Sequence, residues 1–131
     1  MIASTDRSTF LRRSLQLDGV ASGLCGLLLL LGAPSISLLF GLTGSGMARA
    51  VGALLVVFAA ALLWNARRAH VSRGEAIVTV VLNAAWVIAS LVLVLDGPLT
   101  PIGNAAVAVV AVAVFGFAVL EMMGLRRLRA A

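Results

Sequence analysis

Between Asp18 and Arg49 the chain carries no formal charge, and three further stretches, reaching Ala66, Leu95 and Met123, are almost as bare. A run of about 20 apolar residues is what a helix needs to cross about 30 Å of hydrocarbon. Four such runs in 131 residues leave little room for anything else. Apolar residues make up 62% of the sequence and charged residues 11%, against about 45–50% and about 25% in soluble domains. Ten basic and five acidic side chains cannot coat a soluble domain of this length. The sequence therefore predicts an all-α, polytopic membrane four-helix bundle, forming one domain over residues 1–131.

Charges and helix breakers set the expected boundaries. The first span is read over residues 13–32, where Gly32 and Pro34 break the run. Residues 36–43 are apolar but too short to cross and are read as an interfacial segment. Gly41, Gly44 and Gly46 lead into a second span at 48–66, and a basic loop follows at 67–73. A third span at 75–95 ends before Asp96, Gly97 and Pro98. A fourth at 101–123 has Pro101 in its first turn and Gly124 at its end, positions that suit helix starts and stops. Residues 28–34 (LLLLGAP) resemble residues 92–98 (VLVLDGP). This pattern would fit two parallel hairpins, although apolar helices align easily by chance.

Every basic residue is arginine. Arg7, Arg12 and Arg13 precede the first span, Arg67, Arg68 and Arg73 lie in the middle loop, and Arg126, Arg127 and Arg129 follow the fourth span. Only Arg49 falls on the other face. The positive-inside rule makes the arginine-rich face cytoplasmic, with both termini inside an inner (cytoplasmic) membrane. Arg12, Arg13, Arg67, Arg68, Arg126 and Arg127 are read as topology anchors that also meet anionic headgroups. The Arg12-Arg13 pair superficially resembles a twin-arginine export signal, but Asp18 interrupts the apolar run that follows. Nucleic acid is not an expected partner, because no tyrosine and no aromatic-basic stripe offers bases a stacking platform.

Polar residues inside spans cost free energy unless they are partnered or functional. Thr79, Asn83, Trp86 and Ser90 fall within about 60° of one another on the third span, at about 100° per residue, and should face the bundle interior. They are read either as hydrogen-bonding glue between helices, at about 0.6 kcal/mol per contact, or as a ligand or permeation surface. The first span carries Asp18, Ser22 and Cys25 on one face, and Gly19, Gly23 and Gly26 on the next. The glycines suit close helix packing, within the bundle or at a subunit interface. Asp18 and Glu121 are the only acids within the spans. Each lies about 7 Å inside the arginine-rich boundary, taking about 1.5 Å per residue, with Asn65 at a similar level. Two carboxylates at one depth could hold a proton or a cation. Their shallow position and the neighbouring arginines favour ion pairs with Arg12, Arg13, Arg126 or Arg127 that pin the helix ends.

A single histidine, His70, and a single cysteine, Cys25, exclude bis-histidine haem and metal clusters of ordinary spacing. One cysteine also excludes an internal disulfide or a dithiol pair. No nucleophile stands beside a base and no phosphate loop follows a strand. No cofactor, no metal and no enzymatic activity are expected.

The start of the first span at Leu15-Gln16-Leu17-Asp18, with Asn83, Trp86 and Ser90 in the third, resembles small bacterial integral membrane proteins with four spans. That resemblance implies a fold and brings no assigned activity. Small multidrug carriers place a glutamate at mid-membrane in their first helix, where this chain has Asp18 near the edge. Dual-topology fluoride channels have balanced arginines and a phenylalanine box, and quinone-linked thiol oxidases need paired cysteines; neither pattern is present. The expected function is a non-enzymatic bundle that binds lipid or a membrane-protein partner through its first and third spans, alone or as a homo-oligomer. The rival expectation is a small oligomeric transporter or channel using the polar stripe with Asp18 or Glu121.

Overall fold

The computed structural model describes the backbone of residues 2–129 and the side chains of residues 8–128. The described residues form five helices: α1 (Ile2–Leu31), α2 (Ala33–Phe40), α3 (Gly46–Arg67), α4 (Arg73–Asp96) and α5 (Pro101–Arg129). Four of them hold segments long and apolar enough to cross a membrane: Ser8–Leu31, Gly46–Arg67, Arg73–Asp96 and Pro101–Leu128. The described residues include no strand. Helix α1 begins well before residue 13 and α5 runs past residue 123, because charged side chains at a membrane surface do not interrupt backbone hydrogen bonding.

Local chemistry explains the breaks. Pro34 sits in the first turn of α2, where its missing N–H costs nothing. Gly41 closes α2 in the left-handed region at φ 79°, and the Leu42 N–H reaches back to the Ser37 carbonyl at 2.8 Å. The Ser72 hydroxyl accepts from the Glu75 N–H at 3.3 Å and so caps α4. Thr100 ties the far end together, donating from Oγ1 to the Leu39 carbonyl at 2.6 Å and from its N–H to the Phe40 carbonyl at 3.2 Å.

Helix α1 is the centre of the assembly. It packs along α3 on one side and α5 on the other, and α4 packs on α5. Helices α3 and α4 touch little, although only a short loop joins them. The order across the molecule is therefore α3–α1–α5–α4, with an open side between α3 and α4.

The α1–α3 contact is the closest. A Cβ built on Gly26 would lie 2.7 Å from the Gly52 carbonyl oxygen, and one on Gly52 2.8 Å from that of Gly26. Gly19 faces Leu63, and Gly23 faces Ala59. The glycine face of the first span is thus occupied within the chain. At the arginine-rich end, Leu11, Leu15, Leu62, Ala66, Ala76 and Leu125 form a buried apolar core. The Arg127 guanidinium lies 4.2 Å over the Phe10 ring. Arg12 donates to the carbonyls of Ala66, of Arg68 at 2.7 Å and of Ala69 at 3.4 Å. These contacts bring the start of the first span, the 67–73 loop and the C-terminal arginines to one end of the molecule.

Candidate functional site

Asp18, Asn83 and Glu121 come from three different helices and meet in the interior. Asp18 and Glu121 are fully buried, and Asn83 is 3% exposed. One hydrogen of Asn83 Nδ2 goes to Asp18 Oδ2 at 2.8 Å and the other to Glu121 Oε1 at 2.8 Å. Ser22, one turn beyond Asp18 on α1, donates from Oγ to Asp18 Oδ1 at 3.1 Å. Both hydrogens of the amide are spent on carboxyl oxygens. The Glu121 Oε2 atom is buried and receives no hydrogen bond.

The fold explains why these residues converge. Helices α1 and α5 cross so closely that a Cβ on Gly124 would lie 2.8 Å from Leu11 Cα. Glu121, nearly one turn before Gly124, is thereby turned toward α1 at the level of Asp18. Helix α4 lies on α5 and presents Ala76, Thr79, Asn83 and Ser90 as its buried residues. Interior placement lets an amide and two carboxyl groups satisfy one another where lipid would satisfy none of them.

The expected pinning of Asp18 and Glu121 by arginine is not found. Among the described residues the ion pair is Arg68–Glu75, at 3.0 Å and partly exposed. Arg12 caps carbonyls at the end of α3 instead, a favourable place for a cation. Arg13 and Arg126 are exposed, and Arg127 stacks on Phe10. Long arginine side chains extend toward water, whereas the two acids point into the helix contacts. The acids are held by each other's neighbour, Asn83.

The remaining candidates separate by position. Thr79 is buried but donates to its own-helix Glu75 carbonyl at 2.9 Å. Trp86 is half-buried, and its Nε1 is enclosed with no acceptor. Ser90 is buried, further along the stripe, and lines a groove of about 370 Å³ between α4 and α5 with Val87, Val94, Ala108 and Phe115. Asn65 does not join the carboxyl groups. It clasps the middle loop, donating from Nδ2 to the Ser72 carbonyl at 3.2 Å and accepting from the Ser72 N–H at 2.7 Å. Cys25 is half-buried and His70 is exposed. No group of three His, Cys, Asp or Glu residues that could hold a metal occurs among the described residues.

A second groove, of about 530 Å³, fills the open side between α3 and α4. Phe58, Leu62 and Leu82 line its apolar part, and Asn65, Ser72 and Glu75 its polar part near the arginine-rich loop. Neither groove is lined by Asp18, Asn83 or Glu121. Comparison with known protein families, curated proteins and solved structures finds no match to this chain.

Proposed function

We propose that the chain is a non-enzymatic, multi-pass protein of the inner (cytoplasmic) membrane, with both termini cytoplasmic, that binds an anionic lipid between α3 and α4. The α3/α4 groove carries this reading. Its lining runs from apolar Phe58, Leu62 and Leu82 to polar Asn65, Ser72 and Glu75, matching an acyl chain that ends in a headgroup. Arg73 adjoins the lining residues Ser72 and Gly74 in sequence, and Arg68 is bonded to the lining residue Glu75. With Arg67 they concentrate positive charge where a phosphate would lie, worth about 1 kcal/mol per arginine near an anionic surface. The arginine distribution supports the orientation.

The rival reading, a small oligomeric transporter or channel, needs an aqueous path to the polar stripe. Both grooves touch the stripe, at Ser90 and at Thr79, but neither is lined by Asp18, Asn83 or Glu121. The separation of the carboxyl cluster from either groove favours lipid binding over that reading.

Native mass spectrometry of protein released from mixed vesicles tests the proposal. The expected result is retention of an anionic phospholipid over a zwitterionic one, lost in Leu82→Trp, which fills the groove, and weakened in Arg67→Gln/Arg73→Gln. Equal retention of both lipids, or retention unchanged by Leu82→Trp, would overturn it. A homo-oligomer that survives delipidation and closes the groove with a second copy would also overturn it.

A further inference from the structure

The Asp18–Asn83–Glu121 cluster is one hydrogen short. Its two carboxyl groups offer four oxygens in a site from which water is excluded. Ser22 supplies one hydrogen to Asp18 Oδ1, and Asn83 supplies one each to Asp18 Oδ2 and Glu121 Oε1. Glu121 Oε2 is buried and left with none. The one amide nitrogen of Asn83 holds Asp18 Oδ2 and Glu121 Oε1 each at 2.8 Å and so brings the two carboxyl groups together. A buried acceptor without a donor is costly. Two ionised carboxylates side by side, with no cation against them, would be costlier still.

We propose that Asp18, Asn83 and Glu121 form an intramembrane proton-binding site that holds one proton, carried on Glu121 Oε2 and donated to Asp18. Binding takes a proton from hydronium, so one O–H bond forms on Glu121 as one breaks in the donor and water is released. It takes the pair from two negative charges to one. Glu121 is the carrier because both Asp18 oxygens already receive hydrogen bonds. The remaining charge on Asp18 is met by the three hydrogens that reach it, from Ser22, Asn83 and protonated Glu121.

No other ionised side chain among the described residues engages the pair. On α1, Arg12 is turned to the end of α3 and Arg13 is exposed. On α3, Asn65 is spent on Ser72, and Arg67 is exposed. On α4, Glu75 is paired with Arg68. On α5, Arg126 is exposed and Arg127 covers Phe10. The site is built from α1, α4 and α5 together, so loss of its proton acts on the contact among all three.

Infrared spectroscopy of the full chain in nanodiscs tests the assignment, since Glu75 and Glu121 are the only glutamates in the sequence. Glu75 is ion-paired with Arg68 and half-exposed, and the Glu121→Gln variant decides which of the two glutamates carries a band. The expected result is one carboxylic acid carbonyl band per chain at neutral pH. It should shift in heavy water, move on 13C-glutamate labelling, stay put on 13C-aspartate labelling, and vanish in Glu121→Gln. Because labelling uses the unaltered protein, the result does not depend on the variant folding. Absence of the band at neutral pH overturns the proposal, as does a band that follows the aspartate label. A band abolished by adding sodium or potassium at fixed pH would also overturn it, marking a small-cation site instead.

Discussion

Helix α1 presents two seams that are held by opposite chemistry. Toward α3 it offers Gly19, Gly23 and Gly26, and the two backbones approach until a single added Cβ would strike the facing carbonyl. Toward α4 and α5 it offers Asp18, steadied by Ser22, which accepts from the Asn83 amide that also binds Glu121, with Gly124 of α5 as a single close contact against Leu11. Lipid tails are as apolar as leucine, so neither seam gains from a hydrophobic effect between helices. The first depends on dispersion at close range, which is non-directional and forgiving of chemistry but not of volume. The second depends on hydrogen bonds, which are forgiving of volume but fix one register. The difference teaches that one helix can be positioned sideways by small residues and lengthwise by polar ones.

Changes of volume should break the first seam. Gly26→Leu drives a side chain into the Gly52 carbonyl, and its cost should reach the upper end of the about 1–3 kcal/mol typical of overpacking. Thermal unfolding followed by circular dichroism in detergent is the check. An unshifted midpoint would mean that α1 and α3 are not in close backbone contact. Changes of chemistry should break the second seam. Asn83→Leu preserves much of the volume but strands hydrogen-bond acceptors on both acids, a loss of about 2 kcal/mol in the same assay. If it cost no more than a surface substitution, the cluster would not be a buried contact.

How much of this was legible in the sequence differs between the two seams. The glycine face could be read directly, because close approach has a residue signature and needs no knowledge of the partner. The inward stripe on α4 was equally readable from helical period, and Thr79, Asn83 and Ser90 do lie inside. The partnership of the acids was not. Sequence distance to Arg13 and Arg126 suggested ion pairs, since depth along a helix says nothing about the direction around it. A usable signal was present all the same: the expected levels of Asn83 and the two acids differ by only about 5 Å, roughly three residues of helix rise, within reach of side chains that bridge helices. Charges alone place the start of α1 too late, because they mark the membrane surface and do not stop the helix, and Leu11 continues its buried face into the arginine-rich end. The open side between α3 and α4 has no sequence signature, as a short loop ordinarily implies adjacent helices.

Two smaller effects sharpen the contrast by testing polar groups outside the cluster. Arg12→Gln removes the guanidinium from the carbonyls at the end of α3, and should lower stability by about 1 kcal/mol while leaving the α4 contacts unchanged. The readout is the same thermal midpoint, and a loss as large as that of Asn83→Leu would place the main polar anchor of α1 at its end rather than at Asp18. Thr79→Val deletes a hydroxyl that bonds only within its own helix, so it should change stability by less than about 0.5 kcal/mol. A larger loss would mean that Thr79 serves another helix.

The contact between Asp18 and Asn83, on helices 65 positions apart in sequence, is the centre of the account. A double-mutant cycle measures it directly, with Asp18→Ala, Asn83→Ala and the double variant unfolded under identical conditions. The two losses should overlap, with the double variant less destabilised than the sum by about 1 kcal/mol, the range found for hydrogen bonds between membrane helices. Strictly additive losses would contradict the account, because residues that do not meet do not couple.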